Sequence, residues 1–82
     1  MHPIRVLVFA RLRELVGRDV VSLELPLPCT VGDVRTTMIE EFPEIEPLLS
    51  RSRVAINDEF APDAAAVTAD DEIAIIPPVS GG

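Results

Sequence analysis

The chain predicts an α+β fold, a mixed sheet of four or five strands packed on one main helix. Three observations carry this. Short β-rich apolar runs recur at Ile4–Ala10, Val20–Leu25, Val54–Ile56 and Glu72–Ile76. Only one segment, Val31 to Phe42, shows sustained helical spacing. The total length of 82 residues leaves room for a single domain.

Ile4–Ala10 (IRVLVFA) reads as the first strand. Arg11–Val16 has short helical character and stops at Gly17, a residue suited to a C-cap. Val20–Leu25 reads as a second strand antiparallel to the first, and Pro26 and Pro28 break it. Thr30-Val31-Gly32-Asp33 has the form of a capping box with Asp in place of Glu. Val31, Val34, Met38, Ile39 and Phe42 then form an apolar stripe, with Asp33, Arg35, Thr36, Glu40 and Glu41 on the wet face. Pro43 ends this helix, and Ile45, Leu48 and Leu49 suggest one further turn. Val54–Ile56 is a strand followed by Asn57-Asp58, two residues that tolerate positive φ in a hairpin. A short strand or loop surrounds Phe60 and Ala61, Ala69-Asp70-Asp71 turns, and Glu72–Ile76 is the last strand. The order ββαβ(β)β fits a β-grasp sheet wrapped across one helix. The expected boundaries are a domain over 1–76 and an extended tail over 77–82.

One helix covers only one face of such a sheet. Strand periodicity puts Val6 and Val8 on one side and Arg5, Leu7 and Phe9 on the other. In the last strand Ile73 and Ile75 oppose Glu72, Ala74 and Ile76. With Arg5 and Glu72 marking the solvent side, Leu7, Phe9 and Ile76 gather on the open face. Such an apolar patch marks a partner site unless a loop folds over it.

Seven Arg against 14 Asp and Glu give a net charge of −7. Nucleic acid is disfavoured as a partner, and a basic protein surface is favoured. No apolar run reaches the length of a membrane span and no signal peptide stands at the start, so a cytoplasmic chain is expected. The single cysteine, Cys29, agrees with a reducing compartment. It has no basic neighbour in sequence to activate it. His2 stands alone, so no metal site is expected. There is no lysine. That reflects either an arginine-biased genome or a chain that offers no ε-amine to an activated acyl group. No self-sufficient catalytic constellation is visible.

The last residues are Pro77-Pro78-Val79-Ser80-Gly81-Gly82. Of only 4 glycines, two stand here. Gly-Gly passes through a channel too narrow for any side chain, and the two prolines give it a stiff base. Five extended residues from Pro78 to Gly82 reach on the order of 16 Å. The working group is then the carboxylate of Gly82, with Gly81 permitting passage.

Val8-Phe9-Ala10-Arg11-Leu12-Arg13-Glu14-Leu15-Val16-Gly17, Val54-Ala55-Ile56-Asn57 and Asp71 through Gly82 together resemble the small, sulfur-carrier subunit family of molybdopterin synthase, a ubiquitin-like family. The resemblance spans essentially the whole chain. It implies that an adenylating enzyme related to ubiquitin activators consumes ATP to turn the Gly82 carboxylate into an acyl-adenylate. A sulfur donor then displaces AMP and leaves a thiocarboxylate. Docked on the large catalytic subunit, in a heterotetramer, the tail gives its sulfur to cyclic pyranopterin monophosphate. The resemblance implies no permanently bound cofactor, and catalytic groups come from the partners. Phe9, Phe60 and Ile76 fall where the family has apolar interface residues, and Pro77, Pro78, Val79 and Ser80 follow as tail contacts. Many relatives carry an aromatic residue where Ile76 stands. Two other readings remain. One is the thiazole-synthesis sulfur carrier, which generally lacks the Arg11–Gly17 insert. The other is a ubiquitin-like protein modifier.

Overall fold

The computed structural model describes residues 1–78. Its main sheet has five strands in the order β2-β1-β7-β4-β5. These are β1 (His2–Val8), β2 (Val20–Leu25), β4 (Arg53–Ile56), β5 (Glu59–Ala61) and β7 (Ile73–Ile76). The central β1–β7 pair is parallel, and every other pairing in this sheet is antiparallel. Two-residue strands β3 (Cys29–Thr30) and β6 (Ala66–Val67) make a separate small ladder. Helix α1 (Ala10–Val16) follows β1, and α2 (Val31–Glu41) crosses the sheet. A 3₁₀ turn, Pro43–Ile45, leads into the one-turn helix α3 (Glu46–Leu49). The β-grasp arrangement expected from the element order is present.

Alternation decides which side chains enter the core. Ile4, Val6 and Val8 of β1, Val21 and Leu23 of β2, Val54 of β4 and Ile73 and Ile75 of β7 are buried toward α2. Val31, Val34 and Met38 meet them from the helix, and Leu12, Ile45 and Leu49 close the ends. The capping box is made in full. The Asp33 N–H donates to Thr30 Oγ1 at 3.2 Å, and the Thr30 N–H donates to Asp33 Oδ2 at 2.9 Å. Such a cap contributes about 1 kcal/mol. Gly17 caps α1 at φ 86, a left-handed conformation that costs glycine nothing.

Three details differ from the sequence reading. The first strand ends at Val8 rather than Ala10, because Ala10 turns the chain at φ 51 into α1. Arg35 is not on the wet face. Its side chain is tucked under α3, with Nη1 donating to the Leu49 carbonyl at 2.7 Å, Nη2 to the Ser52 carbonyl at 2.7 Å and Nε to Asp63 at 2.8 Å. This ties the end of α3 and the loop before β4 to α2. The β3–β6 ladder was not foreseen, since two residues are too few to show a period.

The Asn57-Asp58 hairpin is as expected, with φ of 50 and 71. A clip ties it to the turn before β7. Asn57 Nδ2 donates to Asp71 Oδ1 at 3.0 Å, and the Glu72 N–H donates to Asn57 Oδ1 at 3.0 Å. Asp71 also accepts from the Thr68 N–H at 2.8 Å. These bonds, the Thr68 one first, hold the Asp71 carboxyl below the ordinary carboxylate range.

Candidate functional site: the open sheet face and the groove at Pro77-Pro78

The face of the sheet away from α2 is read off the strand register. Leu7 pairs with Ala74, Ala74 with Ala55, and Ala55 with Phe60. These four side chains form one apolar row across β1, β7, β4 and β5. The next row toward the C-terminal end of β7 holds Ile76 and its register partner Arg53. Leu7, Ala74 and Ile76 are half-buried, whereas Phe9 is 43% and Phe60 53% exposed. Two exposed phenylalanines are costly in an 82-residue chain, since each exposes apolar surface worth roughly 25 cal/mol per Å². No loop among the described residues folds over them.

Phe9 and Ile76 also share a groove of about 750 Å³ with Leu48, Pro77 and Pro78. Arg11 and Arg51 line it as well. Three elements build this groove. The last residues of β7 supply one wall. Phe9, extended at φ −131 and ψ 160, sits at the turn between β1 and α1. Leu48 comes from α3. Holding Ala10 at φ 51 costs a non-glycine residue about 1–2 kcal/mol. That turn throws Phe9 out of the strand and toward the groove. Pro77 is buried and Pro78 exposed.

The sequence-derived site residues are therefore distributed as follows. Phe9, Ile76, Pro77 and Pro78 meet in the groove. Phe60 lies two strands away from β7 on the same face, not in the groove itself. Val79, Ser80, Gly81 and Gly82 lie outside the described residues. Sequence reasoning missed Arg53. Its guanidinium carbon stands 3.8 Å from the centroid of the Phe60 ring, a cation–π contact. The alternation that put Phe60 and Ile76 on one face could have placed Arg53 there too, since it stands two residues before Ala55.

Cys29 is buried. Burial, and then the charge of Asp33, push its thiol pKa up. It is therefore poorly suited to form a thiolate at neutral pH. Among the described residues, no helix is long and apolar enough to cross a membrane.

A mixed five-stranded sheet grasping one main helix, with one face uncovered, defines the ubiquitin-like class of small α+β domains. The ThiS family profile matches residues 6–82, and the chain belongs to that family. The molybdopterin synthase sulfur carrier subunit of Arabidopsis thaliana is 42% identical over 79 residues, covering 96% of this chain and 82% of that protein. Small archaeal modifier protein 1 of Haloferax volcanii is 34% identical over 83 residues, covering 92% and 95%. A crystal structure of that protein superposes with a TM-score of 0.87 at 28% identity, over 96% of this chain and all of the other. A complex of subunits 1 and 2 of molybdopterin-converting factor from Helicobacter pylori shares the fold, with a TM-score of 0.68 at 18% identity over 98% and 99% of the two chains.

Proposed function

We propose that this chain is the sulfur carrier subunit of a molybdopterin synthase and that its working atom is on Gly82. The observation that carries the reading is the end-to-end similarity to carrier subunits of that enzyme. The structure adds a physical route. An uncovered apolar face runs along β7 into Pro77-Pro78, so a docked partner is led to the residues that follow.

The chemistry needs little from the body of this chain. A carboxylate is a poor acyl donor until one oxygen becomes a good leaving group. An adenylating enzyme supplies that by transferring AMP from ATP to the Gly82 carboxylate, with release of pyrophosphate. A sulfur donor then attacks the acyl carbon, the acyl–oxygen bond to AMP breaks, and a thiocarboxylate remains. Its sulfur is a soft nucleophile. In the large subunit it attacks a carbon of cyclic pyranopterin monophosphate, a carbon–oxygen bond of the substrate breaks as the carbon–sulfur bond forms, and hydrolysis of the resulting acyl–sulfur bond returns the Gly82 carboxylate. ATP is thus consumed by the activating enzyme rather than held by this chain. The chain's own part is to dock, to aim the tail and to let Gly81-Gly82 pass. A cytoplasmic site of action follows from these partners.

Intact-mass measurement after incubation with the activating enzyme, ATP and a sulfur source tests this. One oxygen should be replaced by sulfur, and deletion of Gly82 should abolish the change. A normal sulfur gain in the deletion variant would place the chemistry elsewhere. Cys29→Ser should leave the sulfur gain unchanged, because the buried thiol is not on the route.

A second reading is favoured by the similarity to the Haloferax volcanii modifier protein. The same activated Gly82 would then form isopeptide bonds with lysines of other proteins. Peptides bearing a Gly-Gly remnant from this chain would identify that use.

A further inference from the structure

The net charge of −7 does not describe the face that docks. Helix α2, the turn after it and the start of α3 carry Asp33, Glu40, Glu41, Glu44 and Glu46, on the layer that covers the other side of the sheet. On the open face the acids stand at one end, with the exposed Arg5 between them. Glu24 pairs in register with Pro3, and Glu72 precedes β7. Toward Pro77-Pro78 the order reverses. Arg53 lies opposite Ile76, and Arg11 and Arg51 line the groove beside it.

Arg53 differs from the other two. Arg11 reaches Glu14 at 3.4 Å, and Arg51 Nε reaches the Pro47 carbonyl at 3.4 Å. Arg53 pairs with no carboxylate among the described residues and is exposed. Its guanidinium is stacked on Phe60 instead. Contact through the face of a guanidinium leaves its N–H edges free to donate. It also fixes the fork before any partner arrives, so less side-chain entropy is lost on binding. A cation so placed, inside an apolar row, is costly to cover unless something pairs with it.

We propose that the partner surface covering this face carries a carboxylate opposite Arg53, set within an otherwise apolar contact. A planar fork calls for a planar, bidentate acceptor. A polyanion such as nucleic acid does not fit, because scattered arginines on a chain of charge −7 give it no continuous basic track. The inference rests on the carrier reading, which supplies the docking event. It reverses the sign that net charge alone assigns to the partner at this point.

The test compares Arg53→Gln with Arg53→Glu in binding to the purified large subunit of molybdopterin synthase from the same organism. Both variants lose the stacking on Phe60, so any difference between them reports the charge that faces position 53. Against a carboxylate, Arg53→Glu should bind at least about tenfold more weakly than Arg53→Gln, since like charges are brought together. Equal affinities would show no opposing charge, and tighter binding of Arg53→Glu would show a basic partner patch. Either result overturns the inference and leaves the carrier reading standing. Phe60→Ala is the control for the face and should weaken binding. Full affinity in Phe60→Ala would remove the face from the interface and the inference with it. Failure of the unaltered chain to bind the large subunit would overturn the carrier reading itself. Thermal melts of both Arg53 variants should match the unaltered protein, because the side chain is exposed.

Discussion

Val8 and Phe9 are neighbours in the chain, but Val8 closes β1 on its core side while Phe9, just past the strand, faces the groove. Val8 is 2% exposed and packed under α2, while Phe9 is 43% exposed beside the groove. Ile75 and Ile76 repeat the contrast on β7, where the first is fully buried and the second half-buried. The hydrophobicity of these residues is similar, so composition does not separate them. What separates them is the number of layers. One helix covers one face, and among the described residues nothing covers the apolar residues of the other. Apolar area on the first face stabilises the fold, and in the proposed reading that on the second stabilises a complex.

The sharpest way to break that contrast is to truncate both sides. Ile75→Ala should cost about 2–5 kcal/mol of folding stability. That lowers the melting temperature by roughly 4–8 °C per kcal/mol for a domain of this size. Val8→Ala should act in the same direction. Phe9→Ala should move the melt little and instead cost about 2 kcal/mol of binding to the large subunit, roughly thirtyfold in affinity. Calorimetric titration beside thermal melts reads both quantities. If Phe9→Ala unfolds the domain while Val8→Ala only weakens binding, the two faces are exchanged.

Arg35 sharpens the contrast between two arginines. It is spent inside the fold, on two carbonyls and Asp63, whereas Arg53 is held ready on the surface. Arg35→Ala should lose about 2–3 kcal/mol of stability by urea titration, because charge-assisted bonds to buried carbonyls are removed together. Arg35→Lys should recover only a small part, since an ammonium cannot span three acceptors at the geometry of a fork. A full recovery by lysine would show that charge alone matters there.

The smallest expected effect is at Asp71. Its folded-state pKa is lowered, so its contribution is present above the ordinary carboxylate range and is lost as pH falls through the lowered value. The group is exposed, so the change is slight. Melting temperatures taken from about pH 6 down to about pH 2 should fall a little less steeply in Asp71→Asn than in the unaltered protein. Identical slopes would mean that the clip between Asn57 and Asp71 does not couple to folding.

The parts of this molecule that were legible in the sequence share one property: they follow a short period. The two-residue alternation in IRVLV and IAII assigned the faces, and the spacing of Val31, Val34 and Met38 assigned the helix. Thr30 and Asp33 announced their own cap because both partners lie within one turn. Arg35 was misassigned because its partners stand 14, 17 and 28 residues away and two are backbone carbonyls, which have no letter in the sequence. Net charge is a sum over the chain, and only the fold decides which acids share a face with which arginines. Phe60 was placed at the interface by family resemblance, but its stacking with Arg53 needed the pairing of β4 with β5.

The position of β7 has a mechanical consequence. This strand is hydrogen-bonded on both edges, parallel to β1 and antiparallel to β4. A pull applied at Pro78 along the strand axis loads the bonds of both ladders at once, in shear, rather than opening them one after another like a zipper. The residues at Pro77-Pro78 are thus fixed to the strand that is hardest to extract.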